Sequence, residues 1–126
     1  YEQREHVGKF YFRPPGGESW CDVILRLRSA ADMLARDYGG ARLLLVAHEV
    51  IVTCFRYLFE RMDEAQVLEM DRAGDVPNCG VTSYENPGGR AVRPPLRATL
   101  SNWVAPLEAG GAAVTRDADR PAAPKS

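Results

Sequence analysis

Leu43-Leu44-Leu45-Val46-Ala47-His48 is an apolar run that ends on a titratable side chain. Glu49-Val50-Ile51-Val52-Thr53-Cys54-Phe55-Arg56-Tyr57-Leu58-Phe59 follows it at once. The run is short, continuous and preceded by Gly39-Gly40, which predicts a strand over Arg42 to Ala47 buried on both faces. The stretch after His48 is apolar around most of its circumference, which predicts a largely buried helix. A strand that ends on a polar residue and turns into a helix is how open α/β sheets build ligand sites. The ligand sits beyond the carboxyl end of the strand, facing the unpaired N–H groups of the helix start. Such a place favours anions, and phosphate above all. The fold class read from this stretch is α/β.

Upstream lies Lys9-Phe10-Tyr11-Phe12-Arg13-Pro14-Pro15-Gly16-Gly17-Glu18-Ser19-Trp20. Pro14-Pro15 stiffens the chain and Gly16-Gly17 turns it, so Tyr1 to Gly17 reads as an extended segment and loop. Ser19 is the expected N-cap of a helix, with Asp22 three residues on as a short-armed capping box. Val23, Leu27, Ala31, Leu34 and Tyr38 form its inward stripe. Gly39-Gly40 ends it.

Downstream, Asp63 is expected to cap a short helix from Glu64 to Met70. Asp75 to Asn78 reads as a turn, and Cys79 to Tyr84 alternates as a strand. Asn86-Pro87-Gly88-Gly89 is a further turn signal. Arg90 to Leu100 reads as a last strand, which Pro94-Pro95 demotes to an edge strand or an irregular segment. From Val104 the chain is rich in Ala, Gly, Pro and charge, which predicts a disordered tail over 104–126. The folded unit is expected over 1–103.

The whole chain has 126 residues, enough for one domain. Hydrophobic content of 45% and charged content of 26% suit an ordinary globular protein. A net charge of −1 gives no electrostatic argument for nucleic acid or an anionic membrane. Cys21, Cys54 and Cys79 are odd in number and widely spaced, which argues against a disulfide framework or a zinc site and suits a reducing cytoplasm.

Taken together and in order, FYFRPPGGESW, a helix, LLLVAHEVIV and DVPNCGVTSYE resemble the histidine phosphatase superfamily, which includes phosphoglycerate mutases and fructose-2,6-bisphosphatases. The resemblance covers roughly Tyr1 to Tyr84 and is to the C-terminal half of the family domain. It implies a phosphoglycerate mutase-like three-layer sandwich, here a partial domain with its N-terminal strands missing. In that family an Arg-His-Gly motif supplies the histidine that accepts the phosphoryl group. Here the histidines are His6 and His48, and neither stands in Arg-His-Gly. The family's proton donor also belongs to the other half. The chain is therefore expected to be a fragment that holds one half of an active site and needs a partner N-terminal half.

The resemblance makes His48 the catalytic candidate, hydrogen-bonded to the transferring phosphoryl group. Phosphoryl transfer asks mainly for positioning and charge stabilisation, and an imidazole at a helix start offers both. Arg13 stands where bisphosphatase-like members place an arginine for substrate phosphate, and a guanidinium grips phosphate in a bidentate manner. Lys9 would add charge to the same mouth. Glu18 would pair with Arg13 or another cation, or favour the helix start through the dipole. The Glu49 amide is one of the unpaired helix donors, while its carboxylate is better turned to solvent. Asn78 either supports the histidine or makes an Asx turn.

The implied ligand is a phosphorylated small molecule, with no cofactor, metal, nucleic acid or membrane required. The competing reading is a non-catalytic phosphate-binding or regulatory remnant. A serine hydrolase is disfavoured by the lack of a Gly-x-Ser-x-Gly elbow.

Overall fold

The structure is a computed structural model that describes residues 2–74, 76–86 and 96–115. It is a mixture of helices and one small sheet. In chain order the elements are α1 (Glu2–Val7), α2 (Trp20–Asp37), α3 (Glu49–Phe59), α4 (Glu64–Arg72), β1 (Val81–Glu85), β2 (Arg97–Trp103) and α5 (Ala105–Ala109).

The caps set the main helices where the sequence placed them. Ser19 and Asp22 form a reciprocal capping box on α2: the Asp22 amide donates to Ser19 Oγ at 3.2 Å, and the Ser19 amide donates to Asp22 Oδ2 at 2.8 Å. Asp63 and Gln66 do the same for α4, each bond 2.8 Å long. Tyr38 is the C-cap of α2, and Gly40 follows at φ +85, a left-handed conformation that a side chain would strain. His48 is the N-cap of α3, with extended backbone angles.

The core is helical. Trp20, Val23, Ile24 and Leu27 from α2 pack with Cys54 from α3, Val67 from α4 and Phe10 from the incoming loop. Cys54 and Val67 are fully enclosed. The outer end of the expected stripe fades: Ala31 and Leu34 are half-buried and Tyr38 is exposed. Phe10 sits among the rings of Trp20, Tyr57 and Tyr11. Lys9 is drawn over the face of Trp20, 5.0 Å from the ring centroid, and ion-pairs with Asp71. The loop that precedes α2 is thus fastened to α4 as well. Tyr11 adds a 2.7 Å bond to Glu64.

β1 and β2 pair antiparallel, with Val81 opposite Trp103 and Glu85 opposite Arg97, and with irregular register between. The hairpin leans on α3 through Tyr84, whose hydroxyl donates to Glu60 and whose ring meets Phe59 edge-on. Arg56, buried in α3, holds the same Glu60 carboxylate at 2.9 Å. Trp103, at the end of β2, remains largely open to solvent. The turn before β1 requires Gly80, where a Cβ would lie 2.9 Å from the Pro77 carbonyl oxygen.

Four expectations change. Residues Glu2–Val7 form a helical turn and a half rather than an extended segment, because the stiff Pro-Gly stretch begins only after them. Arg42 to Ala47 form no strand and are not buried. Leu44 is 84% exposed and Val46 92%. A strand needs a hydrogen-bonded neighbour, and none pairs with this segment among the described residues. The α3 helix is accordingly less enclosed than its composition suggests: Thr53, Cys54 and Arg56 are buried, while Val50 is exposed. The stretch from Val104, expected as a tail, opens with α5, whose proline in the first turn suits a helix start. Residues 116–126 lie outside the described residues, as do the Pro87-Gly88-Gly89 turn signal and Pro94-Pro95.

Candidate active site

His48 stands at the junction the sequence singled out. Its backbone carbonyl accepts the first helical bonds of α3, from Ile51 at 3.0 Å and Val52 at 3.2 Å. The Glu49 and Val50 amides precede those bonds and point out of the helix start. Among the described residues the His48 side chain makes no capping bond to them. This distinguishes α3 from α2 and α4, whose starts are closed by their own capping boxes. The His48 side chain is exposed and Glu49 is half-buried in the first turn. An imidazole beside uncapped amides is suited to meet the oxygens of an anion.

Arg13 comes from the Pro-Pro-Gly-Gly loop and is engaged. Its Nε donates to Asp22 Oδ2 at 2.8 Å, and its Nη2 pairs with the other carboxylate oxygen. The Arg13 guanidinium, with Ser19 as second contributor, holds the Asp22 carboxyl well below the usual carboxylate range. The pairing in turn raises the Arg13 pKa. Asp22 therefore does two jobs: it completes the cap of α2 and clamps Arg13 to that helix. Its partnership with Ser19 was legible from spacing, but its partnership with Arg13 spans nine positions and a Pro-Gly loop, and no local pattern announces it.

The Glu18, Lys9 and Asn78 side chains are engaged as well. Glu18 takes Arg26 as its cation, through bonds of 2.8 and 3.1 Å. Lys9 is taken by Asp71 and Trp20. Asn78 clasps Thr115: its amide donates to the Thr115 carbonyl at 3.1 Å and its Nδ2 to Thr115 Oγ1 at 2.8 Å. These bonds tie the segment after α5 to the turn before β1.

Arg28 of α2 shares a hollow of about 230 Å³ with Tyr57 and Leu58 near the end of α3 and with Arg61 and Met62 just beyond it. Among the described residues no three His, Cys, Asp or Glu side chains gather as a metal site. No described helix is long and apolar enough to cross a membrane.

The sequence model described as "Histidine phosphatase superfamily (branch 1)" matches residues 2–93. The chain belongs to the histidine phosphatase superfamily. The match includes the Arg13 loop, α2, His48 with α3, α4 and β1. No curated protein and no solved structure matches the chain.

Proposed function

We propose that this chain carries the phosphoryl-binding part of a phosphatase that acts on small phosphorylated metabolites in the cytoplasm. The reaction runs through a phosphohistidine, and the acceptor histidine comes from an Arg-His-Gly segment that this sequence does not contain. The observation that carries the reading is His48 at the uncapped start of α3, inside the matched family region.

In this scheme the acceptor histidine attacks phosphorus, a P–N bond forms and the ester P–O bond breaks. A proton donor outside this sequence protonates the leaving oxygen. Water then takes the phosphoryl group and releases the histidine. Dividing one difficult displacement into two easier ones is the gain of covalent catalysis. His48 and the Glu49 and Val50 amides bind the equatorial oxygens, where charge spreads in the transition state. Arg13 joins them by exchanging Asp22 for substrate phosphate. Asn78 contributes from the turn before β1.

A second reading is a non-catalytic phosphate-binding remnant. It is favoured by the Arg13–Asp22 pair, which occupies the guanidinium that substrate would use.

The test is phosphate release from a generic phosphomonoester, by this chain alone and with a supplied N-terminal half bearing Arg-His-Gly. The expected result is activity on complementation only, abolished by His48→Ala. Turnover by the chain alone would show that another nucleophile operates. Phosphate binding without turnover in either mixture would favour the remnant.

A further inference from the structure

Glu49 is the first residue of α3, whose N-cap, His48, makes no side-chain capping bond. A carboxylate in the first turn suits the helix dipole. α2, α3 and α4 each carry one there: Asp22, Glu49 and Glu64. Arg13 holds Asp22, and the Tyr11 hydroxyl donates to Glu64. No hydrogen bond or ion pair engages the Glu49 carboxylate among the described residues. The residue is also half-buried, not turned fully to solvent. An unpaired carboxylate thus stands beside His48, at the helix start assigned to the phosphoryl group.

A carboxylate in that position opposes a phosphate dianion, and opposes a ligand with a second anionic group more strongly. The loop cations read as belonging to the same mouth carry their own counter-charges, Lys9 in Asp71 and Arg13 in Asp22. A move of Arg13 from Asp22 to phosphate leaves that carboxylate behind, so the sum of charge is unchanged. Glu49 remains the unbalanced member. We propose that Glu49 is a specificity residue, and that the substrate is a phosphomonoester whose alcohol part carries an ammonium group. The ammonium supplies the charge that balances Glu49, whereas bisphosphates and phosphorylated acids are rejected by repulsion. The inference rests on the phosphatase reading of His48 and adds the substrate class to it.

The experiment combines the full chain with the supplied Arg-His-Gly half and compares kcat/KM for esters of similar size. Phosphoethanolamine, 2-hydroxyethyl phosphate and phosphoglycolate present a cationic, a neutral and an anionic alcohol part. The expected preference follows that order, with the cationic ester ahead of the anionic one by about tenfold, mainly through KM. Added salt narrows the ratio. Glu49→Gln brings it close to parity, Glu49→Lys inverts it and Glu49→Asp retains it. The ratio is read within each variant, so partial loss of folded protein does not alter it. Equal use of the esters by the unaltered protein would overturn the proposal and assign Glu49 to a cation of the supplied half. A charge preference that survives Glu49→Gln would overturn it too. Absence of turnover with every ester would instead overturn the phosphatase reading, and this inference with it.

Discussion

At the residue scale, Asp22 links the architecture to pH. Arg13 and Ser19 favour its ionised form, so its folded pKa lies below the unfolded value of about 3.9. A depressed carboxylate contributes stability that is present above the unfolded value and lost as pH falls toward the folded one. The melting temperature should therefore fall on acidification below about pH 4, and Asp22→Asn should flatten that part of the curve while lowering the neutral plateau. Thermal melts from pH 2 to pH 7 check both. The cysteines make a second prediction. Cys54 is fully buried and burial pushes its thiol up to about 12, so it stays a protonated core group. Cys79 is exposed on the turn before β1. A thiol reagent at neutral pH should label Cys79 first and Cys54 only on unfolding, as peptide mapping would report.

At the element scale, α4 depends on one side chain. Val67 is its single buried residue and is completely enclosed. Val67→Ala should cost about 2 kcal/mol, from lost transfer energy and the cavity left behind, as measured by denaturant unfolding. α2, α3 and α4 were legible in the sequence because their signals are local: Ser19 with Asp22, His48 before an apolar helix, and Asp63 at the start of α4. β1 was legible from its alternation, and part of β2 despite the nearby prolines. Arg42 to Ala47 misled for a physical reason. Its composition describes the environment of a central strand, but strand structure requires partners, and composition cannot supply them. The site divides along the same line. His48 could be placed from chain order alone, whereas the clamp of Asp22 on Arg13 and the clasp of Asn78 on Thr115 depend on tertiary approach.

At the scale of the whole molecule, a small helical core coexists with several exposed apolar residues, among them Leu25, Leu43, Leu44, Leu45 and Val46. Exposed surface of that kind marks an interaction site or an aggregation liability. The isolated chain should accordingly be poorly soluble and without appreciable phosphatase activity, and bringing the 42–48 segment under cover should improve its solubility. Static light scattering before and after complementation checks this. The two tryptophans divide the molecule in another way. Trp20 is sealed in the helical core beneath Lys9, while Trp103 stands in the open at the end of the hairpin. Intrinsic emission is then a sum of two reporters. Acrylamide should quench Trp103 first and shift the remaining spectrum to the blue, leaving Trp20 as an optical gauge of the core alone. One cuvette can then follow the hairpin and the helices separately.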